Sequence, residues 1–201
     1  MSPNPLVLAQ GSVVVFEGLD KAGKSTQLDR MRQVVDPVST TFVHMPSGFS
    51  GFTGGVYALL EDQDTRPTDP LARQLAHLAC HSESMATLAT KAKSGALVLD
   101  RWWWSTLAYG WYGRGEIGLG IDERTFRALT EAIWAPLFAD VVFLFRHTYE
   151  ADSNNVDGVS GGYQTIADQS PTTVIHVPAL GEEETHELLV GELRRLGLIV
   201  G

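Results

Sequence analysis

The sequence predicts an α/β fold, a five-stranded parallel sheet with helices on both faces. Three observations carry that prediction. Short β-branched runs alternate with helix-like segments along the chain, as βαβ units require. The first run, Val13-Val14-Val15-Phe16, does not alternate with polar residues, which is the pattern of a strand covered on both faces. A glycine-rich turn ending in Lys24-Ser25 follows that run and opens a helical segment, the setting in which a βα unit holds phosphate.

Taken in order, Ser12 to Phe16 is the first strand and 24–34 the first helix. Thr40 to His44 is the second strand, followed by a Gly-rich loop at 45–52 and a helix at 53–62. The helix at 70–93 is the best specified. Asp69 caps it, Pro70 suits its first position, and Leu71, Leu75, Leu78 and Leu88 make an apolar stripe that reads as core. Ala96 to Asp100 is the third strand, 103–112 is irregularly helical and 122–134 is a helix. Asp140 to Phe145 and Thr173 to Val177 complete the sheet, and a last helix spans 183–196. Residues 147–171 are polar, acidic and broken by Gly-Gly and Asn-Asn, so they are expected to form a long lid-like loop.

The chain has 201 residues, enough for one sizeable core, and no internal repeat or linker, so a single domain over 1–201 is expected. Its 24 acidic and 15 basic residues give a net charge of -9, which argues against a globally basic nucleic-acid binder but not against a local basic site. The single cysteine, Cys80, rules out an intramolecular disulfide and fits a reducing compartment. The N-terminus has no basic segment followed by a long apolar stretch, and no run is long enough to cross a membrane. A soluble cytoplasmic protein without a membrane partner is expected.

Gly18-Leu19-Asp20-Lys21-Ala22-Gly23-Lys24-Ser25, with Thr26 after it, is a G-x-x-x-x-G-K-S phosphate loop. Its glycines let backbone N–H groups turn inward around a polyphosphate, and the following helix adds its positive end. Lys24 would reach the β- and γ-phosphates and Ser25 would ligate Mg²⁺. Residues 18–26 are therefore expected to bind a nucleoside triphosphate.

The string Phe16-Glu17-Gly18-Leu19-Asp20-Lys21-Ala22-Gly23-Lys24-Ser25-Thr26-Gln27 resembles the thymidylate kinase family. So does Asp100-Arg101-Trp102-Trp103-Trp104-Ser105-Thr106-Leu107-Ala108-Tyr109, where that family has Asp-Arg-Tyr-x-x-Ser-x-x-Ala-Tyr. The likeness covers roughly residues 12–146 and is poor beyond. It implies a P-loop kinase fold, ATP and Mg²⁺, and it makes a homodimer plausible. Carried over by position, Lys24 and Arg101 would stabilise phosphate oxygens, Asp20 would orient or polarise the acceptor, and Asp100 would support Mg²⁺ through water. The lid-like stretch has no Lys or Arg, which leaves Lys21 as the candidate for a cation that family members supply from loop or lid.

The likeness fails where the acceptor would sit. The family's Arg near a Pro, which grips the acceptor phosphate, is missing from His44-Met45-Pro46-Ser47-Gly48, and His77 and His81 stand where the family has Phe-x-x-x-Arg. Arg73, His77, His81 and Ser84 form a polar stripe at helical spacing that would line the acceptor pocket with Trp102, Ser105 and Tyr109. Each lost charge-assisted hydrogen bond would weaken binding by about 1.5–3 kcal/mol. His77, Cys80 and His81 also raise a metal site, but a fourth ligand is missing.

These departures direct the reading to a relative of the family that acts on 5-hydroxymethyluracil in phage DNA, an alcohol acceptor without a free 5′-phosphate. The aromatic run Trp102-Trp103-Trp104, with Trp111, Tyr112 and flanking Arg101 and Arg114, would stack bases and meet phosphates, although such a cluster is as often core. The alternative is a conventional kinase converting dTMP to dTDP. A noncatalytic nucleotide-dependent binding module is the reading from another class. A switch GTPase is disfavoured because the guanine-reading Asn-Lys-x-Asp pattern is absent.

Overall fold

The computed structural model describes residues 4–117 and 119–200. Met1–Pro3, Gly118 and Gly201, and with them both expected domain limits, lie outside the described residues.

The five-stranded sheet has β2 (Val13–Gly18) at its centre, because this strand is buried along its whole length. It pairs in parallel with β4 (Ala96–Asp100) and β5 (Val141–Phe145), Val14 lying opposite both Val98 and Val141. β3 (Thr40–His44) and β6 (Thr173–Val177) complete the order β3-β4-β2-β5-β6, all parallel. Such a sheet gathers its function at the carboxyl ends of the strands. Here those ends carry Glu17, Gly18, His44 and Asp100.

α1 (Lys24–Val34) springs from Gly23, whose φ of 87° needs no Cβ. Gly18 is more constrained still, since a Cβ there would lie 1.9 Å from the Phe145 carbonyl oxygen. α2 (Gly51–Glu61) begins two residues earlier than the sequence predicts, because Ser50 and Thr53 form a reciprocal cap. α3 (Pro70–Ser94) is capped by Asp69 as expected. Its buried stripe runs through Leu78, Met85, Leu88 and Ala92, and Leu75 is 44% exposed. Leu75 falls roughly 60° from Leu78 on the helical wheel, on the side away from the other three.

α4 (Trp103–Gly110) and a 3-10 turn (Tyr112–Ile117) account for the irregular helix, and α5 (Glu123–Trp134) follows an Asp122 cap. The expected loop at 147–171 is in large part a helix, α6 (Asp157–Gln169). Val159, Tyr163 and Ile166, at i, i+4 and i+7, are buried in the core, and their glycine-rich, polar neighbours hide that spacing in the sequence. α7 (Glu182–Arg195) packs on α1, where Arg30 pairs with Glu182 and Glu183. β1 (Val7–Leu8) and β7 (Ile199–Val200) form an antiparallel pair that the sequence does not announce.

Candidate active site

The phosphate loop joins β2 to α1. Lys24 Nζ donates to the loop's own carbonyls, Gly18 at 3.1 Å and Leu19 at 2.5 Å. Burial and then the neighbouring Arg101 pull the Lys24 ammonium down to about 7, against the pull of Asp20, Asp100 and Glu17.

Glu17, one residue before the loop, is fully buried and was not singled out by sequence reasoning. Its Oε1 accepts from the backbone N–H groups of Trp102 (2.7 Å) and Ser105 (3.0 Å). Oε2 accepts from Ser105 Oγ (2.6 Å) and Tyr163 O–H (3.0 Å). This carboxylate therefore fixes the start of α4 and ties α6 to the central strand. An acid ending an otherwise apolar strand is the one signal that could have marked it. Burial raises its pKa, while Arg101 and these hydrogen bonds oppose the rise.

Arg101 stands in the left-handed region, φ 70°, where a side-chain-bearing residue is strained. Its guanidinium pairs with Asp20 and donates to Ser105 Oγ at 2.9 Å. Burial would depress its pKa, but Tyr163, Asp20, Tyr109 and Glu17 raise it and keep the guanidinium charged. Ser105 thus links Glu17 to Arg101, and Tyr109 O–H accepts from the Asp20 N–H (2.8 Å) and donates to Asn155 (2.9 Å).

Asp100 and His44 meet across β4 and β3. His44 Nδ1 donates to Asp100 Oδ2 at 2.8 Å, and its Nε2 lies 3.2 Å from Tyr57 O–H. Burial alone would raise Asp100, but the hydrogen bond from His44, with Arg101 and Lys24 nearby, brings it below its ordinary value. Ser25 is exposed on the wall of the same cavity. A hydroxyl and an ionised carboxylate are hard oxygen donors that fit Mg²⁺. Among the described residues no group of three or more His, Cys, Asp or Glu could hold a metal ion, so Mg²⁺ would take its remaining ligands from nucleotide phosphates and water.

The cavity these residues line has a volume of about 1210 Å³ and also receives Lys21, Arg66, Arg73, His77 and Arg114. Six cationic side chains, Lys21, Lys24, Arg66, Arg73, Arg101 and Arg114, thus share one cleft, although the chain is acidic. Arg66, Arg73 and Arg114 make no ion pair among the described residues. Arg73 donates from Nη2 to the Pro67 carbonyl at 3.0 Å, and its buried Nε has no partner. Arg66 was missed by sequence reasoning, since it lies in the polar stretch between two helices.

Of the two histidines expected to face the acceptor, His81 is fully engaged. Trp134 Nε1 donates to His81 Nδ1 at 3.2 Å, so the ring proton lies on Nε2, 3.2 Å from Thr106 Oγ1. Burial, with His77 beside it, pushes His81 down to about 3. His77 lines the cavity without a hydrogen-bond partner among the described residues, and burial followed by Arg73 and Arg101 pushes it down to about 4. Cys80 is buried with its thiol toward the Thr53 carbonyl, at 3.8 Å, rather than toward a shared centre with these rings.

The tryptophan run is not a stacking surface. Trp102, Trp103 and Trp104 are 4%, 9% and 0% exposed and pack on one another with ring centroids 5.4–6.2 Å apart. Only Trp102 reaches the cavity wall. The reason is steric: β4 delivers the run directly into the space between the sheet and α5, where Trp134 meets Trp102.

A second cavity of about 250 Å³ opens on the other side of the loop, between Tyr149, Val177, Pro178 and Thr185. Ala22, Gly23, Thr26 and Tyr149 belong to the walls of both cavities. Segment 149–155 crosses the loop here. Asn155 Nδ2 donates to the Asp20 carbonyl (2.8 Å), its Oδ1 accepts from the Asp20 N–H (3.0 Å), and the Tyr149 N–H donates to the Lys21 carbonyl (3.0 Å).

A family model described as thymidylate kinase matches residues 16–157. The thymidylate kinase of Chlorobium chlorochromatii is 25% identical over 213 residues, covering 90% of this chain and 93% of that protein. The thymidylate kinase of Solidesulfovibrio magneticus is 35% identical over 107 residues, 51% of this chain and 50% of its own. The crystal structure of thymidylate kinase from Ehrlichia chaffeensis superimposes with a TM-score of 0.72, covering 92% of this chain and 100% of that chain. At 21% identity, that is a likeness of fold.

Proposed function

The chain belongs to the thymidylate kinase family, and on that premise we propose that it transfers the γ-phosphoryl group of ATP to the 5′-phosphate of a free thymidine nucleotide, dTMP. The observation that carries this reading is the cleft with six cations, four of them, Lys24, Arg66, Arg73 and Arg114, without an acidic ion-pair partner among the described residues. A small dianionic acceptor suits such a cleft. The acceptor in DNA, weighed from the sequence, drew on an accessible aromatic run, and those tryptophans are core.

In this reading an oxygen of the dTMP phosphate attacks the γ-phosphorus, the bond from that phosphorus to the β,γ-bridging oxygen breaks, and ADP leaves as dTDP forms. Phosphoryl transfer asks the protein for positioning and charge rather than covalent chemistry. Ser25, and Asp100 through water, would hold Mg²⁺, which would supply charge neutralisation at the donor phosphates. Lys24 gives up its contacts with Gly18 and Leu19 to take phosphate oxygens. Arg101, held charged, faces the transferred group, while Asp20 fixes its orientation. Arg66, Arg73 and Arg114 take over the grip of the Arg near a Pro that is missing from His44-Met45-Pro46-Ser47-Gly48.

The test is transfer of labelled γ-phosphate to dTMP and, in parallel, to DNA containing 5-hydroxymethyluracil. Label on dTDP is expected. Label on DNA with none on dTMP overturns the proposal.

A further inference from the structure

Lys21 carries the other non-glycine backbone in the left-handed region, φ 59°. A residue stays in such a conformation only where its surroundings over-determine it. Here both peptide groups around Lys21 are held from outside the loop. On one side Asn155 closes a two-point clasp on the main chain of Asp20, accepting from its N–H at 3.0 Å and donating to its carbonyl at 2.8 Å. On the other side the Tyr149 N–H donates to the Lys21 carbonyl at 3.0 Å.

The clasp is itself anchored. The Asp152 carbonyl accepts from the Asn155 N–H, and the Asp152 side chain accepts from the Asn154 N–H at 2.8 Å, so the turn is ordered before it reaches the loop. Behind it, α6 is pinned by buried Val159 and by Tyr163 on Glu17. The Lys21 side chain meanwhile remains 54% exposed, with Glu150 at 3.9 Å as its only acidic ion-pair partner among the described residues, and it lines the cationic cleft. Residues 147–171 contain no Lys or Arg. The crossing segment therefore delivers no positive charge of its own and instead fixes the backbone of a residue that does.

We propose that Asn155 is a positioning residue for phosphoryl transfer. Its clasp on Asp20 holds Lys21 in the left-handed conformation that aims the Lys21 ammonium at the transferred phosphoryl group. This rests on the kinase reading above and extends it to a residue 135 positions away in the chain. A misdirected charge costs rate more than it costs binding, because displacements near one ångström already cost on the order of 100-fold in rate.

The experiment is a double-mutant cycle with Asn155→Ala, Lys21→Met and the combined variant. It reads kcat and the KM for ATP, with ADP release followed both with dTMP and with water as acceptor. Each single variant is expected to lower kcat by about tenfold or more while the KM for ATP moves less than about threefold. The combined variant is expected to be no slower than Lys21→Met alone, since the clasp then has no charge to aim. Asn155→Asp keeps the side-chain shape but replaces the donor to the Asp20 carbonyl with a charged oxygen that repels it, so it breaks the clasp without deleting the side chain. It is expected to follow Asn155→Ala. Additive losses in the combined variant, or losses confined to the KM for ATP, overturn the proposal. Water-acceptor turnover that obeys the cycle without any dTMP turnover would leave the clasp standing and remove dTMP as the acceptor.

Discussion

The hydroxyl of Tyr163, on α6, lies 3.0 Å from the carboxylate of Glu17, on the central strand, and both side chains are fully buried. The contact joins the segment that crosses the phosphate loop to the strand that launches it. Tyr163→Phe keeps the ring and deletes this hydrogen bond. Unfolding free energy is expected to fall by about 1–3 kcal/mol, because a buried acid loses a donor, and equilibrium urea denaturation measures it.

Lys24 sets a pH dependence for nucleotide binding. Burial and then Arg101 push its ammonium down to about 7, and bound phosphate would return it toward its usual range. Binding above pH 7 must then take up a proton, so affinity falls as pH rises, by up to about tenfold per unit, and is level below pH 7 with respect to this group. Titration calorimetry of ATP between pH 7 and 9 is expected to show this slope, and Lys24→Met is expected to flatten it.

His81 and His77 make the fold acid-sensitive. Their folded-state values, about 3 and about 4, lie below the usual 6.5, so the unfolded chain binds more protons in between. Their contribution is intact above pH 6.5 and is lost as pH falls, at up to about 1.4 kcal/mol per unit for each group until its own folded-state value is passed. His81→Gln, followed by denaturant unfolding at pH 7 and pH 5, is expected to lose less stability on acidification than the parent chain.

Arg73 should act on the acceptor and not on the donor. Arg73→Gln is expected to raise the KM for dTMP roughly 10- to 100-fold, the weight of one charge-assisted hydrogen bond, with the KM for ATP unchanged. Steady-state kinetics with each substrate varied in turn separates the two.

What could be read from the sequence is what is local. The phosphate loop was legible because its geometry depends on glycines at 18 and 23 and on a strand and helix directly beside it. α3 was legible from Asp69 and Pro70 at its start. α6 was not, because Val159, Tyr163 and Ile166 are its only large buried side chains amid glycines and polar residues. The β1–β7 pair has two residues per strand, too few for any period to show. Within the site, residue types were legible and partnerships were not. Glu17 with Tyr163, Asp20 with Asn155 and His81 with Trp134 join positions 146, 135 and 53 apart. Nothing in spacing distinguishes the stacking and core readings of Trp102-Trp103-Trp104; only the packing of α4 against α5 does.

Ala22, Gly23, Thr26 and Tyr149 form a wall shared by two cavities. With the donor nucleoside in one cavity and the acceptor in the other, turnover is expected to pass through a ternary complex, with intersecting rather than parallel double-reciprocal lines. For inhibitor chemistry, a nucleoside placed in each chamber and joined by a phosphate bridge over this shared partition would occupy both at once and gain the affinity of a tethered pair.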